Sequence, residues 1–246
     1  ADQNLLGYFA TLTPRAQNST SGPGFTPEPA FSLPGGVYTN SSLILTLTGP
    51  PEATIRYTVN GTVPTNTSPV YSGAITFTTN LTIKARAYPS TAGLWPSPVV
   101  ARSFILLDPS AANFSSELPV LIISTEGRAI LENVLAGGQR TKGSLVVFDT
   151  IRGRSSLRDP PHFLGLADFE IFGQTSAGWL KKPHNIEIQD ELGNDKAVSL
   201  LGMPAEADWK VRNPFSDKFL MGDFLGHELF EKMGHYSLRR KYVEVF

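Results

Sequence analysis

Few residues in this 246-residue chain have the type and spacing that chemistry requires. The sequence has no cysteine, which excludes disulfides, cysteine-ligated zinc, iron–sulfur clusters and thiol nucleophiles. Ser155 and Ser156 lack the Gly-x-Ser-x-Gly context of an activated serine. The histidines match no spacing typical of shared metal ligands. They are His162, His184, His227 and His235.

Carboxylate and amide oxygens cluster in residues 190–195. They belong to Asp190, Glu191, Asn194 and Asp195. Such oxygens suit Ca²⁺, but their order fits no calcium-loop consensus. We therefore predict a plain turn between strands at this position, and no metal site.

Charged residues are divided unevenly along the chain. Residues 1–107 hold 8 of the 43 charged side chains and are rich in Thr, Ser, Pro and Gly. Two such compositions in one chain predict two domains with two roles. The predicted divisions are a linker or tail of an upstream domain at 1–28, a first domain at 29–107, a linker at 108–117 and a second domain at 118–246.

The bulk composition narrows the class of protein. The apolar content of 41% is in the globular range. A formal net charge of −1 argues against a nucleic-acid partner, which would select a basic face. No apolar run reaches 18 residues, so no membrane span is predicted. The chain begins at Ala1 without Met or a signal peptide, which predicts a processed form or a piece of something longer.

Period-two alternation dominates residues 37–107. Leu43, Leu45 and Leu47 share one face of a predicted strand, and Leu81–Ala87 alternates in the same way. Alternation of this length between turn residues predicts half-buried antiparallel strands. Asn60–Gly61 is a strong turn signal, because both residues tolerate positive φ. The pattern predicts a small all-β sandwich.

Four segments of this region resemble the chitobiase/β-hexosaminidase C-terminal domain family. They are Phe31–Tyr38, Ala53–Thr65, Pro69–Tyr71 and Leu81–Ala87. The resemblance implies an immunoglobulin-like accessory module of secreted bacterial proteins, and therefore an extracellular or cell-surface location. It does not imply hydrolysis, since Glu52 is the only acidic residue between 37 and 107 and glycoside hydrolysis needs two carboxylates.

Aromatic residues of the first domain raise a further hypothesis. Tyr38, Tyr88 and Trp95, with Tyr71, could stack against sugars in a carbohydrate-binding module. The alternative is that Tyr71 packs in the sandwich beside Tyr57 and that the other aromatic residues lie in loops. We favour the second interpretation.

The second domain is predicted to be α+β. Continuous apolar runs at Pro119–Ser124 and Ser144–Asp149 are typical of buried strands. Ser216 or Asp217 is predicted to cap a helix that ends at Met233 before Gly234. Further strands are predicted at Phe169–Phe172, Asn185–Gln189 and Lys241–Phe246.

Several motifs of residues 115–246 together resemble the CotH spore-coat family, which has an atypical kinase-like fold. They are Leu118–Thr125, Gly173–Ser176, Lys181–Gly193, Leu200–Pro204, Asp208–Trp209, Asp217–Lys218 and Met233–Gly234. Members of that family with known chemistry transfer phosphate from ATP to protein. The resemblance implies an α+β domain that is incomplete at Phe246, before the lobe that carries the metal-binding and catalytic Asp residues.

Phosphoryl transfer needs a cation on the nucleotide phosphates, often a strand Lys paired with a helix Glu. Lys181 or Lys182 could supply the cation and Glu228 its partner, with ATP and Mg²⁺ as cofactors. The alternative is that both lysines are solvent-facing charges at a strand edge. Family cations are also replaced by Phe172 and by Gly222–Asp223, and no glycine-rich phosphate loop is present.

The leading interpretation is therefore an exported bacterial structural or interaction protein with no catalytic residues and no cofactor. Two alternatives stay open: a fragment of a CotH-like protein kinase, and a carbohydrate-binding accessory module. The apolar segment Lys241–Phe246 is predicted to be an edge strand. Either the protein continues beyond it, or a neighbouring chain completes the sheet. The predicted partners are other protein chains or further domains of the same protein.

Overall fold

The computed structural model describes residues 24–90, 93–133 and 138–246, and most of the predicted segment 1–28 lies outside them. Strands dominate, with one α-helix, α1 (Gly222–Lys232), in the described residues. In chain order the strands are β1 (Ala30–Phe31), β2 (Gly36–Tyr38), β3 (Leu43–Leu45), β4 (Leu47–Thr48), β5 (Ala53–Thr58), β6 (Ile75–Phe77), β7 (Leu81–Pro89), β8 (Val100–Leu106), β9 (Ser115–Ser116), β10 (Val120–Ser124), β11 (Thr141–Phe148), β12 (Ser155–Ser156), β13 (Phe163–Ile171), β14 (His184–Gln189), β15 (Asp208–Val211) and β16 (Glu244–Val245).

The chain divides into two compact units. Of the described residues, the first unit takes those within 24–35 and 40–104, and the second takes Gly36–Thr39 and those within 105–246. The boundary falls within β8, three residues before the change in composition at Leu107.

The first unit is built from antiparallel strand pairs. β1 pairs with β4, β3 with β6, and β7 lies between β5 and β8. The predicted alternation appears as burial, because Leu43, Leu45 and Leu47 are buried while Ile44 is 61% exposed. Along β7, however, Thr82 and Lys84 are buried as well, so this central strand is covered on both faces rather than half-buried.

The second unit is organised around a six-stranded sheet of order β15-β14-β13-β11-β10-β16. All neighbours are antiparallel except β10 and β16, which are parallel. One face carries a continuous apolar cluster against residues 200–201. Its buried strand members are Leu121, Leu145, Val147, Ala167, Phe169, Ile186 and Ile188. This architecture agrees with the predicted all-β sandwich followed by an α+β part.

Several predicted boundaries in the second unit were wrong. β13 begins at Phe163 rather than Phe169, and β15 was not predicted. The helix begins at Gly222 rather than after Asp217, because Leu220 has φ 58°, a left-handed conformation that a helix cannot contain. Asp217 still accepts a backbone hydrogen bond from Gly222, and Gly234 follows the helix with φ 87°, as a helix stop requires.

Most apolar side chains of α1 and of the residue after it are exposed in the described part of the chain. No residue of α1 is buried. Leu225, Leu229 and Met233 are 48%, 60% and 71% exposed. These three side chains therefore form an open surface and are not part of the core.

Candidate functional site

The structure gives separate partners to the residues predicted for a nucleotide site. Lys182 Nζ forms an ion pair with Glu132, 50 residues earlier in the chain. Glu228 on α1 contacts Arg240 at 3.2 Å and Lys232 at 3.9 Å. Lys181 is exposed. Lys182 and Glu228, which the sequence analysis considered as a pair, thus contact other residues rather than each other.

The sequence analysis missed an ionic cluster formed by β13, β14, β11 and Arg140, the residue before β11. Arg140 pairs with Glu187 and lies 3.7 Å from Glu170, and Lys142 Nζ lies 3.2 Å from Asp168. Asp168 and Glu187 are direct partners in the register of β13 and β14. Like charges in that position repel, so the two cations are what makes the arrangement tolerable.

The ionic cluster occupies the sheet face opposite the apolar cluster. Asp168 and Glu170 are each only 8% exposed, and Gln189 Nε2 donates to Asp168 at 3.0 Å. A signal for it exists in the sequence, because the polar residues alternate with buried Phe169 and Ile188. Period two places them on one face. Their pairing with Arg140 and Lys142 depends on strand register, which the sequence pattern does not specify.

The predicted turn at 190–195 is held by Asp190, whose carboxylate accepts hydrogen bonds from the Leu192 and Asn194 backbone amides and from the Asn194 side chain. Burial alone would raise the pKa of Asp190, but hydrogen bonds from Asn194, Leu192 and Gly193 together lower it. Throughout residues 24–90, 93–133 and 138–246, no three His, Asp or Glu side chains are placed to hold one metal ion.

The three aromatic residues considered for sugar binding do not fall in one unit. Tyr38 belongs to the second unit, whereas Tyr88 and Trp95 belong to the first. The Tyr88 hydroxyl donates to the Pro64 carbonyl at 2.8 Å. Trp95 is 49% exposed and its backbone is tied to Gly24 and Thr26.

A small open cleft lies in the second unit, beside the loop that precedes β14. Its volume is about 270 Å³. Its lining includes Phe172, Thr175, Ser176, Trp179, Arg212 and Asn213. The cleft combines two aromatic side chains, two hydroxyls, an amide and a guanidinium, which is the mixture of a small-ligand site.

The C-terminal segment forms a second unusual surface. It runs along α1, where Phe224 stacks on Tyr242 at 5.6 Å, and then becomes β16 at the edge of the sheet. Exposed large apolar side chains are concentrated here. They include Phe219, Leu220, Leu225, Leu229, Phe230, Met233, Tyr236, Leu238, Val245 and Phe246.

Comparison with known families finds a match within each part of the chain. Residues 33–93 match the family model described as chitobiase/beta-hexosaminidase C-terminal domain. Residues 169–246 match the family model described as CotH kinase protein. The two matches lie in the order that the sequence predicts, and the two resemblances are confirmed over the matched residues. No curated protein and no solved structure matches the chain.

Helices in the described residues offer no candidate for crossing a membrane, since none is both long and apolar enough.

Proposed function

We propose that this chain is an exported bacterial structural protein that associates with copies of itself through the edge strand β16 and the adjoining apolar surface of α1. The observation that carries the proposal is the position of β16 as the outermost strand of the six-stranded sheet. The match of residues 33–93 to an accessory-domain family supports export, because the resemblance associates that family with secreted bacterial proteins.

Alternate backbone groups of β16 form hydrogen bonds with the neighbouring strand β10 or the residue before it. Glu244 N donates to Pro119 O at 2.9 Å, and Phe246 N donates to Leu121 O at 2.9 Å. Backbone groups of a strand alternate in direction, so Val245 directs its N–H and C=O away from β10. These outward groups are the template on which another extended strand can add.

Side chains next to this edge favour a second copy as the occupant. Val245 is 42% exposed, Phe246 49% and Leu238 64%. An antiparallel contact of β16 with the same strand of another copy is self-complementary, since both partners present the same apolar side chains and outward backbone groups. Such a contact would add strands to the sheet and cover exposed apolar surface in one step.

Sedimentation velocity of the full chain at increasing concentration tests the proposal. Wild type is expected to associate, and Val245→Pro is expected to weaken association at least tenfold, because proline removes the outward N–H. Proline at this position leaves both hydrogen bonds to β10 in place, and edge strands tolerate it. The matched control, Val245→Ala, keeps the N–H and should associate nearly as wild type does.

Wild type that stays monomeric at every concentration would contradict self-association. Equal association of the proline and alanine variants would show that strand addition is not the contact. Near-equal thermal midpoints of the two variants establish that both are folded.

A CotH-like protein kinase remains the second candidate, favoured by the family match over residues 169–246. Bound ATP would need a cation such as Lys182, which here faces Glu132. Glu228, its expected partner, faces Arg240. These residues therefore do not fit a nucleotide site as they are arranged, and no catalytic step is derived through ATP or Mg²⁺.

Thermal stabilisation by ATP and Mg²⁺ separates the two candidates. For the structural protein we expect no rise in melting temperature with millimolar nucleotide. The kinase requires a rise, by mass action on the folded state, that Lys182→Ala abolishes and Lys181→Ala does not. A rise with that pattern would replace the structural proposal by the kinase.

A further inference from the structure

Backbone hydrogen bonds hold the loop that forms one wall of the cleft beside β14. Gly173 has φ 101°, and a Cβ on it would lie 2.1 Å from Ser176 Oγ, so only glycine permits this turn. Gly178 N donates to Thr175 O and Trp179 N to Ser176 O, each at 3.2 Å. Phe172 N donates to Pro183 O at 3.3 Å. A ligand would therefore meet a largely preformed surface, which lowers the entropic cost of binding.

Two cations, Arg212 and Lys210, and one carboxylate, Asp223, lie at one side of the cleft. Arg212 lines the cleft, with its NH1 3.1 Å from Asp223. Arginine has five N–H donors, so this ion pair orients the guanidinium without using all of them. Lys210 lies on the same strand, with Nζ 4.8 Å from the centre of the Phe172 ring. This side of the cleft suits a carboxylate, which arginine binds with charge-assisted hydrogen bonds.

The rest of the cleft is lined by aromatic rings and uncharged polar groups. Trp179 is half-buried, and its ring centre lies 5.7 Å from that of Phe215. The hydroxyls of Thr175 and Ser176 and the amide of Asn213 can both donate and accept hydrogen bonds. Sugar rings present apolar C–H faces and hydroxyl edges, so this set complements a sugar.

The size of the cleft suits a small ligand. The cleft measures about 270 Å³, just below the roughly 300–1,000 Å³ typical of drug-sized ligand sites. One sugar ring with a carboxylate fits this volume. We infer that the second unit binds an acidic monosaccharide, with the carboxylate on Arg212 and the ring against Trp179.

Saturation-transfer NMR titrations of the full chain with D-glucuronate test the inference, with D-glucose, inorganic phosphate and ATP as comparison ligands. We expect millimolar binding of glucuronate and at least tenfold weaker binding of glucose, because glucose lacks the charged partner for Arg212. Arg212→Ala should weaken glucuronate binding at least tenfold and leave glucose binding unchanged. Trp179→Ala should weaken both.

Arg154→Ala is the matched control, since Arg154 is also exposed and paired with a carboxylate, Glu117 at 3.6 Å, but does not line the cleft. It should bind as wild type does. The inference is overturned if glucuronate does not saturate, if glucose binds equally well, if Arg212→Ala has no effect, or if phosphate or ATP binds more tightly than glucuronate. Failure here would leave self-association through β16 untouched.

Discussion

Replacing Phe169 with alanine is expected to lower the free energy of unfolding of the second unit by about 3–5 kcal/mol. Phe169 is 0% exposed and lies on β13, opposite Thr141 of β11 and Ile186 of β14. Its neighbours are held by hydrogen-bonded strands on both sides, so they cannot close the cavity that alanine would leave. The loss is a large share of the roughly 5–15 kcal/mol that stabilises a typical domain.

Urea denaturation followed by tryptophan fluorescence measures this loss for the second unit alone if Trp95→Phe is the background. The chain has three tryptophans, and the remaining two, Trp179 and Trp209, both belong to the second unit. Leu180→Ala is the control, because Leu180 is 91% exposed and its truncation should cost at most about 0.5 kcal/mol.

A loss below about 1 kcal/mol for Phe169→Ala would show that this side chain is not a core residue. If the alanine variant fails to fold, Phe169→Leu keeps the measurement possible. Leucine fills most of the space, and a loss of about 1.5 kcal/mol is then expected.

Replacing Arg140 with methionine is expected to destabilise the second unit by about 2–3 kcal/mol. Methionine keeps an apolar stem but leaves Glu170 and Glu187 without their shared cation. Removing one partner of a fully buried ion pair typically costs about 3–5 kcal/mol. The expected value is lower, because the Arg140 side chain is 25% exposed and water screens part of the charge.

A double-mutant cycle identifies the cause of this loss. Glu187→Gln in the Arg140→Met background removes the opposed charge on β14 and should restore about 1 kcal/mol. The control is Arg154→Met, whose pair with Glu117 is largely exposed and should contribute at most about 0.5 kcal/mol. If the two methionine variants lose equal stability, the cross-strand cluster has no special electrostatic role.

Strand positions in the first unit follow from local pattern alone. Leu43, Leu45 and Leu47 alternate with Ile44 and Thr46 in the sequence, and burial repeats that alternation in the structure. The side chains of a strand point to opposite faces in turn, so a pattern of period two contains this information directly. The pattern does not show that β7 is covered on both faces, because that depends on strands distant in sequence.

For α1, the sequence predicted the C-terminal end correctly but not the N-terminal start. Its end before Gly234 was predictable, since glycine alone adopts φ 87° without strain. Its start was not, because the turn at Leu220 depends on Asp217 accepting backbone hydrogen bonds and on Tyr242 donating its hydroxyl to Leu220 O at 2.7 Å. That last contact spans 22 residues, and no local propensity encodes it.

Some features of the candidate sites were likewise predictable from the sequence, and others were not. The turn at Asp190 was predictable from adjacent residues, and both family resemblances from motifs of a few residues each. The partner of Arg140 was not, because it depends on strand register, and the partners of Lys182 and Glu228 were not, because each lies in a different segment of the chain. The cleft at Arg212 also needs the pairing of β14 with β15, which brings residues 183 and 212 together.

The amino-acid order by itself therefore determined the division into two compositions, the strand-rich character and the two families. These three features depend on residues close together along the chain, and the alternation of side chains along a strand makes them readable from the sequence. Only the tertiary structure decided that β16 lies parallel to β10 as the outermost strand of the six-stranded sheet, and that Asp168 faces Glu187 between two cations. These contacts depend on the packing of distant segments, whose energies are set by the burial of the complete sheet.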